Sequence, residues 1–196
     1  MTRFSFQALA SGRMKLPAAL ASLLVLAALA AGCGGGGGGG NDTTSAQDWA
    51  DGVCSAINTW TDSLRSAGQS LSGGNLSKDS LESAAGDVKD ATAQLKDDLS
   101  GLGAPDTKSG EQAKQTTDEL SKNIQQGVDT IDGAVKDATN GGSIVTALTT
   151  VTSTLSTMGS QVKTAIGELE KLDPGGELES AFKNASSCKS LTSQQG

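Results

Sequence analysis

Residues 141–172 decide the fold, and they read GGSIVTALTTVTSTLSTMGSQVKTAIGELEKL. Apolar side chains recur in this stretch at alternating spacings of three and four residues: Ile144, Leu148, Val151, Leu155, Met158, Val162, Ile166, Leu169 and Leu172. This spacing places them along one face of an α-helix, whereas a half-buried strand needs an apolar side chain at every second position. The stretch therefore predicts a long amphipathic helix.

Three earlier stretches have the same spacing. Their apolar positions are Trp49, Val53, Ile57, Trp60, Leu64, Ala67 and Leu71 in the first, Leu81, Ala84, Val88, Ala91, Leu95, Leu99 and Leu102 in the second, and Ala113, Thr117, Leu120, Ile124, Val128, Ile131, Val135 and Ala138 in the third. Each stretch keeps polar residues on its other positions, so each predicts a helix with one buried face.

Turn-forming segments follow the four stretches and are predicted to end their helices, at 73–75, 101–105, 140–142 and 173–176. A last short helix is predicted over 177–185. Four long helices with short connections predict an all-α fold, namely an up-down-up-down four-helix bundle with a short C-terminal helix. We expect the bundle to occupy residues 46–191 and residues 192–196 to form a flexible tail.

Two of the three cysteines are predicted to form a disulfide. In an up-down-up-down bundle the fourth helix ends beside the start of the first, and these two regions carry Cys188 and Cys54. A disulfide would then join the first helix to the C-terminal segment and close a loop of most of the domain. Two unpaired buried thiols are the alternative.

The composition excludes several classes of function. The chain has 15 basic and 22 acidic residues and no histidine, which gives a net charge of −7 and an isoelectric point near 4.5. Nucleic-acid binding needs clustered Lys and Arg, and a Ser-His-Asp triad or a His-based metal site needs imidazole. The carboxylates fall on predicted solvent-facing helix surfaces. We therefore expect no nucleic-acid partner, no catalytic residue, no metal site and no cofactor.

The N-terminus has the pattern of an export signal. Arg3, Arg13 and Lys15 precede an apolar run over residues 16–31, and this run is shorter than the roughly 20 residues that a membrane span needs. Met14 is an alternative start, since the signal would then begin directly before its apolar run. The run ends in the sequence LAAGC, residues 29–33.

This ending resembles the lipobox of bacterial lipoprotein precursors, although Leu29 stands four residues before Cys33 where the usual pattern has three. The resemblance implies that residues 1–32 are removed as a signal peptide and that Cys33 becomes a diacylated N-terminus. The protein would then be exported and held by lipid at the outer face of the cytoplasmic membrane. Cleavage after Ala30, which would leave Cys33 as a free thiol, and an uncleaved anchor are the alternatives.

Residues 33–45 are predicted to be the lipidated cysteine and a flexible tether. Seven consecutive glycines occupy positions 34–40, and no Gly-Lys-Ser/Thr follows them as a phosphate-binding loop would require. A flexible linker of this length has an average reach of about 20 Å. The helical domain would therefore stay close to the membrane surface.

The fourth helix carries a candidate interface. Residues 138–162 contain no charged side chain, although a solvent-facing helix surface is usually charged and a partner-facing one is depleted of charge. The outward positions include Thr149, Ser153 and Ser156, and Gly159 would let another backbone approach. Compositional bias, or flanking of this helix on both sides within the bundle, are the alternatives to an envelope protein partner.

The predicted mature chain also resembles small cell-envelope lipoproteins of actinobacterial type. The resemblance rests on the segments WADGVC at 49–54, LGAP at 102–105 and SSC at 186–188. It implies an exported, helical, disulfide-bonded protein without an assigned activity. We expect a non-enzymatic envelope lipoprotein with an interaction or structural role. The alternative is a bundle that holds a small or apolar ligand between its helices, as a sensor or carrier would.

Overall fold

Six helices follow one another in the residues that the computed structural model describes, 44–72 and 76–193. They are α1 (Ala46–Ser72), α2 (Lys78–Gly101), α3 (Gly110–Lys136), α4 (Gly141–Leu169), α5 (Glu177–Asn184) and α6 (Ser186–Ser193). The prediction of an all-α bundle with a disulfide between the first helix and the C-terminal segment is confirmed. None of the helices within these ranges combines the length and the apolar character that crossing a bilayer requires.

Side-chain caps fix where three of the long helices begin. Ser45 precedes α1, and its hydroxyl oxygen accepts a hydrogen bond from the Asp48 N–H at 3.2 Å. Ser77 accepts from the Ser80 N–H before α2 at 3.1 Å. Asn140 accepts from the Ser143 N–H before α4 at 3.1 Å. Each cap satisfies one of the N–H groups that have no partner within the helix.

The segment 140–142 begins a helix, although it was predicted to end one. α3 ends at Lys136, Asn140 caps α4, and the two glycines that follow Asn140 are the first residues of α4. The prediction was wrong because Gly and Asn are frequent at both kinds of helix end, and the capping pair of Asn140 with Ser143 is what separates the two cases.

The helices pack in sequential pairs, α1 on α2, α2 on α3 and α3 on α4, while α5 and α6 both pack on α1. α1 and α4 are not among the closely packed pairs. The buried core contains both tryptophans: Trp49 Nε1 donates to the Gly103 carbonyl at 2.9 Å, and Trp60 Nε1 donates to Thr92 Oγ1 at 3.1 Å. Phe182 of α5 meets the Trp49 ring edge-on at a centroid distance of 6.0 Å.

The predicted apolar face is fully buried in α3 and divided in α4. All eight predicted positions of the third stretch are buried. In α4 the buried residues are Ala147, Val151, Met158, Val162, Ala165 and Leu169. Ile144, Leu148, Leu155 and Ile166 were predicted as core and are only partly buried. Ile166 lies on the side of α4 that faces α1, where close packing is missing.

α6 extends the C-terminal segment beyond the single short helix that was predicted over 177–185. It follows α5 after Ala185 and continues to Ser193, past residue 191 where the domain was predicted to end and into the predicted tail over 192–196. Its second residue, Ser187, donates through its backbone N–H to the Asp51 carboxylate of α1 at 3.2 Å. Because this cap comes from 136 positions earlier in the chain, the local sequence does not reveal it.

Candidate functional site

The two predicted disulfide partners lie in contact. Cys54 of α1 and Cys188 of α6 form a disulfide with a Cα–Cα distance of 5.0 Å, across a sequence separation of 134 residues. Both cysteines are buried. The alternative of two unpaired thiols is therefore wrong.

The predicted lipidation site lies outside the described residues. Cys33, the signal over 1–32 and the glycine run over 34–40 all precede residue 44, where the described part of the chain begins. Lipidation and the tether therefore remain predictions.

The last two residues assigned to the tether, 44 and 45, are bound to the helical domain. Thr44 Oγ1 donates to the Leu102 carbonyl at 3.3 Å, and the Asp106 N–H donates to the Thr44 carbonyl at 2.9 Å. Ser45 caps α1. The chain is thus held from Thr44 onward, at the end of the bundle that also carries the disulfide.

Asp51 lies at this same end, next to Cys54. The Ser187 hydroxyl and the Ser187 N–H both donate to its carboxylate. These hydrogen bonds, the hydroxyl's first, lower the pKa of Asp51 below its usual value because they stabilise the ionised form. The arrangement caps a helix and has the geometry of a structural contact.

The predicted interface residues share one exposed surface of α4. Thr149, Ser153, Ser156 and Gly159 are all exposed, so no other helix within the described ranges covers this surface. A Cβ added at Gly159 would meet no atom within 4 Å. Next to this surface Val145 is 59% exposed, the one large apolar side chain in the described ranges that is so exposed.

The hydroxyl groups of this surface are directed to their own helix. Thr149 Oγ1 donates to the Val145 carbonyl at 3.0 Å, and Ser153 Oγ donates to the Thr150 carbonyl at 3.0 Å. Thr146, Thr150, Thr152, Thr157 and Ser160 make the same kind of bond. Because these donors are satisfied inside the helix, the surface presents threonine methyl groups, serine methylene groups and no charge. Covering it costs little desolvation, which is a property of a protein interface.

A groove between α1 and α4 is the second candidate site. It has two adjoining cavities of about 380 Å³ and about 330 Å³, and both are lined by Val162, Lys163 and Leu191. The larger cavity extends to the disulfide and Phe182, and the smaller one to Trp60 and Gly159. We call this space the α1–α4 groove.

Sequence reasoning did not find the α1–α4 groove. The signal was present, since the α4 stretch carries more large apolar residues than the third stretch does. The prediction that all these α4 residues face one core required α1 to pack closely on α4. In the structure α5 and α6 pack on α1, and Val162 and Ile166 of α4 line the gap that is left.

Within the described ranges no cluster of three or more His, Cys, Asp or Glu side chains could hold a metal ion. In comparisons with known proteins, no family model, no curated protein and no solved structure matched the chain. The assignment therefore depends on the sequence signals and on the two surfaces of α4.

Proposed function

We propose that the mature chain is a non-enzymatic lipoprotein of the cell envelope, anchored through acylated Cys33 at the outer face of the cytoplasmic membrane. Its helical domain acts by binding. The observation that carries the proposal is the attachment at Thr44: the chain that follows the glycine tether is fixed to the end of the bundle where Cys54 and Cys188 are joined. A tethered domain gains stability from a disulfide that joins its first helix to its C-terminal segment near the point of attachment.

The anchor is tested by mass spectrometry of the intact protein, together with cell fractionation. The Cys33→Ala variant loses the acylated sulfur, so we expect it to lack the diacyl mass and the processed N-terminus, both detected by mass spectrometry of the intact protein. The tether variant Asn41→Ala is the matched control and should stay acylated and membrane-bound. A free thiol at Cys33 in the exported wild-type protein would contradict the proposal.

The charge-free surface of α4 is the proposed contact for an envelope protein. A photo-crosslinking residue at Thr152 should give a discrete adduct with a partner in intact cells. Introducing Asp at both Thr149 and Ser153 should abolish this adduct, because two charges would have to be desolvated at the interface.

The matched control places Asp at Ser66 and Ser70 of α1. These two residues are exposed, have the same spacing of four, and also donate their hydroxyl groups to carbonyls of their own helix. The control variant should keep the adduct. Loss of the adduct in the control, or its persistence in the α4 variant, would contradict the assignment.

A second candidate function is the binding of an apolar ligand, and the α1–α4 groove favours it. Both cavities are within the size range of small-molecule sites, and both have Val162 and Leu191 in their walls. The domain would then capture or carry a lipid-like molecule beside the membrane. The two candidate sites adjoin on α4, because Ser156 and Gly159 belong to the proposed interface and also line the smaller cavity.

A further inference from the structure

The α1–α4 groove has a cationic rim in an acidic protein. Lys163, Lys183, Lys189 and Arg65 line its two cavities, and Glu170 is the acidic residue among the lining side chains. Removal of residues 1–32 would take away three basic and no acidic residues, so the mature charge would be −10. A third of the remaining basic residues thus surround one groove.

The positive charge is local to the α1–α4 groove and is not found on the α1–α2 side. A surface cavity there is lined by Asp62, Asp87 and Asp90 and by no basic residue. The two grooves therefore differ in the sign of their charge. A negatively charged ligand is attracted to the first and repelled by the second.

Lys163 is the central cation of the groove. It contributes to both cavities, it is exposed, and it forms no ion pair within the described ranges. Lys183 pairs with Glu179, and the pKa of Lys183 is raised mainly by this contact and slightly by the charge of Glu170. Arg65 pairs with Asp62, and Lys189 donates to the Asn184 carbonyl, which leaves Lys163 as the cation whose charge is available to a ligand.

The floor of the groove is apolar and long enough for one acyl chain. Leu191, Ile166, Phe182 and the Cys54–Cys188 disulfide form its surface near α6. The α4 residues that line it run from Ser156 to Glu170, which corresponds to about 21 Å of helix. A lipid chain that reaches the middle of a bilayer spans about 15 Å. One chain therefore fits along the floor. Lys163 lies at the middle of this stretch, about 10 Å of helix from either end, and its long flexible side chain extends toward a headgroup bound at one end.

We infer that the α1–α4 groove binds a single-chain anionic lipid, with the hydrocarbon chain on the apolar floor and the anionic headgroup at Lys163. The inference deepens the ligand-binding function proposed above and depends on it. A neutral apolar molecule would use the floor without the rim, and a soluble anion would use the rim without the floor. The combination of both selects an amphiphile.

The test uses the full chain in phosphatidylcholine vesicles and two photoreactive probes, palmitic acid and hexadecanol, each with a diazirine in its chain. We expect palmitate to label residues that line the groove, as mapped by peptide mass spectrometry, and to label them at least fivefold more than hexadecanol does. The Lys163→Glu variant replaces an attraction with a repulsion, so palmitate labelling should fall about tenfold. The Lys122→Glu variant is the matched control, because Lys122 is an exposed lysine of α3 outside the groove, and it should keep the wild-type labelling.

A second pair of variants separates the ligand class from the ligand-binding function. Gly159→Leu fills the smaller cavity, and Gly133→Leu adds the same side chain on α3, where a Cβ also meets nothing within 4 Å. Gly159→Leu should reduce groove labelling by both probes, whereas Gly133→Leu should leave it unchanged.

The outcomes distinguish the two claims. Equal labelling by palmitate and hexadecanol, unaffected by Lys163→Glu but lost in Gly159→Leu, would overturn the anionic lipid and support the general apolar site. Absence of groove labelling by either probe would overturn both. A dimer of this chain crosslinked through Lys163, with no lipid adduct, would make a second copy the occupant and would also overturn the inference.

Discussion

Asp51 connects the first helix to the last. Its carboxylate accepts hydrogen bonds from Ser187 at the N-terminus of α6, where the helix dipole also favours a negative charge. The Ser187 hydroxyl lies 2.9 Å from the Asp51 backbone carbonyl oxygen as well. One side chain thereby holds α6 against α1 directly beside Cys54.

Replacing Asp51 with Ala should lower the free energy of unfolding by about 1 kcal/mol at pH 7, because the N-terminus of α6 loses its cap. The pKa of Asp51 is lowered in the folded protein. Its contribution is therefore complete above the unfolded pKa of about 3.9 and is lost as the pH falls through the folded pKa. Urea unfolding of both proteins at pH 7 and at several values below pH 4 should show their difference shrinking.

The exposed Asp98→Ala variant on α2 serves as the control for this experiment and should match the wild type at every pH. A difference between Asp51→Ala and wild type that is independent of pH would show that the Asp51 charge does not contribute.

At the scale of the helices, α3 carries two glycines in opposite surroundings. Gly110 is its first residue and is buried, and a Cβ there would lie 2.1 Å from the Pro105 carbonyl oxygen. Gly133 lies near the other end, is exposed, and would place a Cβ in open space. The first glycine permits the tight passage from the 101–105 turn into α3, while the second only weakens the helix.

Gly110→Ala should therefore lower the free energy of unfolding by about 2 kcal/mol, since a backbone atom has to move to admit the methyl group. Gly133→Ala should raise it by roughly 0.5–1 kcal/mol, the intrinsic preference of a helix interior for Ala. Thermal unfolding of the two variants checks both signs. Equal effects would mean that Pro105 moves freely.

The helices also show which parts of the fold could be predicted from the sequence. The α3 face could be predicted completely, because α3 packs between α2 and α4 and its apolar spacing alone defines the buried side. In α4 the spacing predicted the helix but not which neighbouring helices pack against it. Leu155 and Ile166 were therefore assigned to the core. α6 and the α1–α4 groove depend on tertiary contacts of α1, which local sequence does not encode.

Across the whole molecule the single disulfide joins the two ends of the described chain. Cys54 lies in the third turn of α1, and Cys188 lies in α6. The disulfide pairing could be predicted because the bundle topology brings these ends together. The two proposed binding surfaces, by contrast, adjoin on α4 and share Ser156 and Gly159, which the topology does not reveal.

Reduction of the disulfide should lower the free energy of unfolding by about 4–5 kcal/mol, the loop-closure entropy for a separation of 134 residues. Urea unfolding of the oxidised and reduced protein measures this. Cys33→Ala leaves the disulfide in place and should unfold like the wild type. Equal midpoints with and without reductant would show that helix packing alone sets the stability.

The attachment at Thr44 and the Cys54–Cys188 disulfide together decide how the domain responds to mechanical pulling. A force applied between the N-terminal and C-terminal segments passes from residue 44 to Cys54, across the sulfur–sulfur bond, and out through Cys188. The intervening residues form a closed loop that carries none of this tension. Pulling can therefore unfold only the first turns of α1 and the end of α6. Most of the bundle, including α4, stays folded under load.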